Sequence, residues 1–274
     1  MLRTTGVSGS VARWFSQVAA SLGATLAAGA IYAMLPSPTP PAPAPLPALT
    51  SGGEFAARVV GAFQARTDEE FCMAVSGGET ARACYERLAL VGAELIDWWL
   101  VNIFWTDERC VAPDSPDSNQ LLARQALLER VGAANAVFPM RCEEGPAPYQ
   151  LRLGEIRNLD LVHLGMGPDG HTASLFPNSP ALNADPGQLV TLNEDPSGRN
   201  PYPRMTLTYA GLARARLIIF TVAGAAKREA VQAIVDGDDL PAARVRAERI
   251  LWLVDRDAAP RGYRPDDQKG LPQP

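Results

Sequence analysis

The sequence predicts an α/β domain, a mostly parallel sheet with helices on both faces. Three observations carry this expectation. From Ser51 onward, short apolar runs of strand length alternate with segments whose apolar residues recur at helical spacing. Glycine-rich turns follow two of the runs directly, where an open α/β sheet presents its crevice. The chain has 274 residues, 47% apolar and 20% charged, which suffices for one substantial core.

The elements are read in order. Phe55, Val59, Ala62 and Phe63 share a helical face, and Phe71 to Val75 is a short buried strand. Ala81 to Leu90 is helical again, and Trp98 to Trp105 reads as a strand. Asn119 to Leu128 follows as a helix and Leu159 to Leu164 as a strand. Leu217 to Val222 is a strand, Ala226 to Val235 a helix, and Ile250 to Val254 the final strand. Such alternation implies parallel strands joined by helical crossovers.

Three segments divide the chain. Residues 1–50 hold no acidic residue, carry only Arg3 and Arg13 as charges, and end in a proline-alanine run from Pro36 to Pro47. They read as a leader or a disordered extension, since such tracts bury too little surface to order themselves. Val18 to Leu35 has the length of a membrane span but is dominated by Ala and Gly, and a transit or signal peptide is an equal reading. Residues 51–260 form the single catalytic domain, for which no membrane association is expected. Residues 261–274 are a polar tail.

A net charge of −5 and a pI near 5.2 exclude the clustered Lys and Arg of a nucleic-acid footprint, so an anionic ligand must be held locally. Cys72, Cys84, Cys110 and Cys142 show no CxxC spacing, and His163 and His171 make no zinc pattern. The expectation is four reduced cysteines, no disulfide, and a cytoplasmic protein. Cys72 reads as a small core residue.

The densest chemistry lies in Gly165-Met166-Gly167-Pro168-Asp169-Gly170-His171-Thr172-Ala173-Ser174-Leu175-Phe176-Pro177, directly after the Leu159 strand. It delivers a titratable imidazole, His171, from a glycine turn at a strand end. The three glycines satisfy G-x-G-x-x-G, but Pro177 limits any following helix to under two turns and Pro168 occupies the turn, which argues against a dinucleotide site. Gly167 and Gly170 instead shape a small-substrate pocket around His171.

A second element, Ser76-Gly77-Gly78-Glu79-Thr80, joins the Phe71 strand to the next helix. Strand, glycine turn and helix N-terminus make an anion cradle, with Ser76 and Thr80 as added hydroxyl donors. A plain tight turn with a helix cap is the competing reading. The near copy Ser51-Gly52-Gly53-Glu54 follows the proline-rich segment rather than a strand, and reads as a helix start.

A third element, Trp105-Thr106-Asp107-Glu108-Arg109, also closes a strand. Asp107 is a candidate to orient a sugar hydroxyl or the imidazole, and Arg109 to pair with phosphate or stabilise an oxyanion. A solvated loop with a local ion pair is the alternative. Arg204, in Pro203-Arg204-Met205-Thr206, and Lys227, near a helix start after Gly224, complete the cationic candidates. A lysine there opposes the helix dipole unless an anion sits beside it.

Taken in order, the Ser-Gly-Gly-x-Thr turn, the Asp-Glu-Arg segment with Ser118-Asn119 behind it, the run around His171, the Arg-x-Thr element and the Gly-x-x-Lys start resemble the 6-phosphogluconolactonases, from about Ser51 to Ala258. The resemblance implies a Rossmann-like fold, hydrolysis of 6-phospho-D-glucono-1,5-lactone in the pentose phosphate pathway, a sugar-phosphate substrate as the partner, and no cofactor or metal. It also implies His171 as catalytic base and Arg109 as a substrate and oxyanion ligand. Ser76, Gly77, Gly78 and Thr80, with Arg204 and Lys227, would form the phosphate site. Either Asp169 or Asp107 would orient the imidazole.

Some positions depart from the family pattern. Glu79 and Ala81 stand where Ser or Arg, then Pro, are usual, so an acid lies near the proposed phosphate. His163 occupies a usually apolar strand position and reads as a packed core histidine. No first strand precedes the Phe55 helix, so part of the leader would have to supply it. A related glucosamine-6-phosphate isomerase-deaminase would need a Glu five residues after the histidine, where this chain has Phe176. A non-catalytic sugar-phosphate sensor is the remaining alternative.

Overall fold

The computed structural model describes residues 31–32, 51–132, 134–260 and 262. The proposed leader, apart from residues 31–32, and the tail, apart from Gly262, lie outside the described residues. In chain order the strands are β1 (Ile31–Tyr32), β2 (Phe71–Val75), β3 (Val101–Trp105), β4 (Asp107–Arg109) and β5 (Ala136–Phe138), then β6 (Leu159–Leu164), β7 (Val190–Asn193), β8 (Arg204–Leu207), β9 (Ala215–Val222) and β10 (Arg249–Asp255). The helices are α1 (Ser51–Gln64), α2 (Glu79–Gly92), α3 (Asn119–Ala123), α4 (Glu129–Val131), α5 (Pro146–Glu155), α6 (Tyr209–Leu212) and α7 (Arg228–Val235).

The main sheet runs β1-β10-β9-β6-β2-β3-β5, and every pairing is parallel except that of β1 with β10. Strands β2 and β6 are buried along their whole length; β2 is apolar throughout, as strands covered on both faces tend to be, while β6 carries Asp160 and His163, each with hydrogen-bond partners. The register assigns the faces. Met73, Leu161 and Ile103 lie with His163 on one, where Phe55 of α1 and Tyr85 of α2 pack. Ala74, Val162 and Phe104 lie on the other, where Tyr149 of α5 packs edge-on against Phe104 and gives its hydroxyl to the Trp105 carbonyl.

From β2 the chain winds outward through β3 to β5, then returns to β6 and proceeds the other way through β9 to β10. The order therefore reverses between β2 and β6, and the crevice at their carboxyl ends is where such folds hold ligands. The Ser76 turn leaves β2 at that point and the Gly165 turn leaves β6 there. The missing first strand is supplied by Ile31–Tyr32 at the opposite sheet edge.

Other expectations need correction. Trp98 to Leu100 is a 3-10 turn rather than strand: the Asp97 carboxylate accepts the Trp99 amide, and the Trp98 indole donates to the Gly92 carbonyl. The helix from Asn119 is regular only to Ala123 and continues to Leu128 with π-helical bonding. A second, antiparallel sheet, β4-β8-β7, was not expected, because its strands are three or four residues long and partly polar.

The cysteine reading also fails in part. Cys110 and Cys142 form a disulfide with Cα atoms 5.4 Å apart, while Cys72 and Cys84 are free and buried. Spacing alone did not disclose it, because β4 and the turn after β5 bring together residues 32 apart. Burial pushes the Cys72 thiol up to about 11, so it stays protonated, as a core residue should. Among the described residues no helix is long and apolar enough to cross a membrane. Closing a loop of this length lowers denatured-chain entropy by about 3.7 kcal/mol equivalent, so Cys110→Ser should lower Tm by roughly 7–15 °C. A melting curve with and without reductant, compared with that variant, checks this; an unchanged Tm in all three refutes it.

Candidate active site at the β2–β6 crevice

A pocket of about 370 Å³ opens at this reversal point. Its walls come from the Ser76–Ala81 turn, the Gly165–His171 loop, β4 with Asn119, β8, and the segment from Thr221 to Lys227. All four sequence elements thus converge although they span about 150 residues of chain.

The imidazole loop is built by local bonds. The Gly167 amide donates to the His171 carbonyl at 2.8 Å, the Gly170 amide to the Gly167 carbonyl, and the Thr172 hydroxyl to the Gly165 carbonyl. A Cβ on Gly167 would lie 2.1 Å from His171 Nδ1, so only glycine lets the ring fold back over the turn. Ala173 adopts φ 47°, an unusual conformation for a residue with a side chain, beside the pocket.

His171 Nδ1 lies 2.5 Å from Asp169 Oδ1, and the same oxygen accepts the His171 amide. Burial opposes charge on Asp169, but the bonds from His171 outweigh it and hold the carboxyl below its ordinary value. An ionised Asp169 accepts only, so Nδ1 carries the proton and Nε2 is left as an acceptor. Asp107 has other partners: it accepts the Ser174 hydroxyl at 2.6 Å, the Asn119 amide group and the Thr106 hydroxyl. Of the two acids proposed to orient the imidazole, Asp169 makes that contact.

The cradle differs from expectation at Ser76. Its hydroxyl donates to the His163 carbonyl at 2.6 Å and its amide to the Tyr85 hydroxyl at 2.7 Å, so neither is directed at an anion. The first N–H groups of α2 are another matter, since no side chain caps this helix and Gly78 precedes it. Thr80 stands half-buried in the first turn, and Glu79 is exposed at the rim. A Cβ on Gly77 would lie 1.8 Å from Asn119 Oδ1, so the turn seats directly against that side chain.

Register explains the cations. Arg109 on β4 faces Arg204 on β8 as a direct cross-strand pair, an arrangement of like charges that is unfavourable without an anion. Arg109 reaches the Asp117 carbonyl at 2.7 Å and its carboxylate at 3.8 Å. Arg204 is buried, donates to the Pro201 carbonyl, and has no partner for Nε among the described residues. Lys227 ends a 3-10 turn and caps the start of α7 at Arg228, half-buried beside the pocket. Burial depresses its pKa, and the charge of Asp169 works against that.

Two site residues carried no individual role in the sequence reading. Glu108 is buried and accepts the amides of Asn119, Gln120 and Arg109 and the Ser118 hydroxyl, capping α3. Burial raises its pKa against those bonds. Asn119, so held, donates to both the carbonyl and the carboxylate of Asp107. Reading Asp107-Glu108-Arg109 as a strand would have revealed this, because period-two alternation turns Glu108 away from its neighbours. Among the described residues no group of three or more His, Cys, Asp or Glu is arranged to hold a metal ion.

Comparison with known proteins identifies the family. The family model described as glucosamine-6-phosphate isomerases/6-phosphogluconolactonase matches residues 50–252. The chain is 39% identical over 207 residues to a 6-phosphogluconolactonase of Nostoc sp., covering 69% of this chain and 83% of that protein. It is 35% identical over 225 residues to a 6-phosphogluconolactonase of Mycobacterium tuberculosis, covering 74% and 90%. The crystal structure of a 6-phosphogluconolactonase from Thermotoga maritima superposes with a TM-score of 0.64 at 30% identity, over 73% of this chain and 94% of that one. With its switch-point pocket, its His171 loop and these relatives, the chain belongs to the glucosamine-6-phosphate isomerase/6-phosphogluconolactonase family.

Proposed function

We propose that this protein is a 6-phosphogluconolactonase, hydrolysing 6-phospho-D-glucono-1,5-lactone to 6-phosphogluconate in the pentose phosphate pathway. One observation carries the reading: the His171 ring, tied at Nδ1 to Asp169, shares one pocket with an uncapped helix N-terminus and three cations.

The chemistry needs an activated water and a stabilised oxyanion. His171 Nε2 takes a proton from water as its oxygen bonds to the lactone carbonyl carbon. The carbonyl oxygen becomes an oxyanion facing Arg109. Collapse breaks the bond to the ring oxygen, which receives the proton back from the imidazolium. Asp169 holds the tautomer throughout and stabilises the transient cation. The phosphate lies at the N-terminus of α2, against Gly77, Gly78 and Thr80, with Arg204 and Lys227 countering its charge.

The isomerase-deaminase alternative is disfavoured at Phe176. Its ring is buried 4.9 Å from the His171 ring, so no carboxylate stands there for sugar ring opening. A purely sensing role would leave the Asp169–His171 pair without use.

Purified protein should accelerate loss of 6-phosphogluconolactone above its spontaneous hydrolysis, and His171→Ala should lower kcat/KM by roughly 10²–10⁴-fold. Equal rates for the two proteins would remove the assigned base. Absence of acceleration by the wild type would remove the lactonase reading, and glucosamine 6-phosphate turnover would then be measured. Lys227→Met should raise KM about tenfold with a smaller change in kcat if it contacts phosphate.

Asp169→Asn should lower kcat by roughly 10²–10⁴-fold, because an amide favours the wrong tautomer. The sign of its stability effect follows from the lowered carboxyl. Stabilisation is complete above the unfolded value near 3.9 and lost as pH falls through the folded one, so the urea stability gap between wild type and Asp169→Asn should hold down to about pH 4 and close as pH falls further. A gap that widens in acid contradicts the assigned hydrogen bond.

A further inference from the structure

Behind the pocket wall runs a buried polar chain that the hydrolysis does not use. His163 interrupts an apolar stretch of β6, and its ring is fully buried, 4.2 Å from Phe55 and 5.3 Å from Tyr85 between centroids. It is more than a packed core histidine. Nδ1 lies 2.8 Å from the Tyr85 hydroxyl and Nε2 2.8 Å from the Thr221 hydroxyl, so both ring nitrogens are bonded. Burial lowers its pKa to about 3, which keeps the ring neutral.

The chain continues to the cradle. The Tyr85 hydroxyl accepts the Ser76 amide at 2.7 Å and lies 3.2 Å from the Ser76 carbonyl, while the Ser76 hydroxyl donates to the carbonyl of His163 itself. The Ser76 amide and carbonyl therefore both meet the Tyr85 hydroxyl, while its own hydroxyl lies between the His163 carbonyl and the Thr106 hydroxyl, 2.9 Å away. Ser76 is the last residue before the Gly77-Gly78 turn, so its orientation aims the turn and the first N–H groups of α2. Thr221, at the far end of the chain, lines the same pocket.

We propose that His163 is a positioning residue for phosphate recognition, holding the Tyr85 hydroxyl against Ser76 so that the Gly77-Gly78 turn stays in its anion-receiving geometry. The inference rests on the reading that this turn takes the phosphate. An apolar residue at 163 would leave the buried Tyr85 and Thr221 hydroxyls each short of a partner. The Ser76 hydroxyl would keep the carbonyl of residue 163, but the Tyr85 hydroxyl that meets the Ser76 amide and carbonyl would lose the ring that holds it, because a partly satisfied buried network is free to rearrange.

The test uses His163→Phe, Tyr85→Phe and the double variant, with inorganic phosphate binding measured by calorimetry, lactone kinetics, and circular dichroism melts to establish folding. Each single variant should weaken phosphate binding and raise KM by about tenfold, the worth of one buried hydrogen bond, with a smaller fall in kcat. Because the two residues act in series, the double variant should be no weaker than the poorer single one. A folded His163→Phe with wild-type phosphate affinity overturns the proposal, as does a fall in kcat with KM unchanged. Should His163→Phe not fold, Tyr85→Phe decides by the same two readouts. Wild-type protein that turns over lactone without binding phosphate overturns the cradle reading and this positioning role together, while leaving the lactonase reading intact.

Discussion

Strands β2 and β6 pair only through Met73 with Leu161 and Ala74 with Val162, after which their chains diverge. The bond from the Ser76 hydroxyl to the His163 carbonyl, 2.6 Å long and fully buried, closes the sheet just beyond that divergence. Everything at the pocket depends on it. On one side it anchors the turn that opens α2, and on the other it fixes the end of the strand from which the imidazole loop leaves. The crevice exists because the topology reverses there, and its shape persists because polar groups rather than apolar ones bridge the two strand ends.

Burying so many polar groups is costly, and the site meets that cost by saturation. Glu108 has four donors on its two oxygens, Asp107 has three different donor residues, and Asn119 links that carboxylate to the glycine turn. Such groups are tolerable inside a protein only when each is paired. Among the described residues that line the pocket, the exception is Arg204, whose Nε is buried without a partner and whose charge faces Arg109 across the small sheet. An electrostatically unfinished position surrounded by finished ones suits the anionic ligand proposed above.

The disulfide belongs to the same frame. Cys110 follows Arg109 directly, and its amide donates to the Pro203 carbonyl, one residue before Arg204. Bonding Cys110 to Cys142 ties the β4 end of the small sheet to the turn after β5. The two facing arginines are thus carried on a pair of short strands restrained from outside as well as by their own ladder.

By itself, the sequence determined the elements whose patterns are local. The β2 and β6 runs are read with the bounds the structure gives them, because strands covered on both faces are predominantly apolar, with only Asp160 and His163 departing in β6. The glycine turns, the imidazole and its neighbouring acid are likewise legible, since Asp169 reaches His171 across two residues. Only the tertiary structure decided what depends on residues far apart. It separated Asp107 from the imidazole, withdrew the Ser76 hydroxyl into the interior, joined Cys110 to Cys142, and set Arg109 opposite Arg204 through strands too short to leave a periodic signal. A hydroxyl, a thiol or a carboxylate has the same sequence signature whether it faces a ligand or a distant backbone carbonyl. Which of these it meets follows from how the sheet folds the chain back on itself.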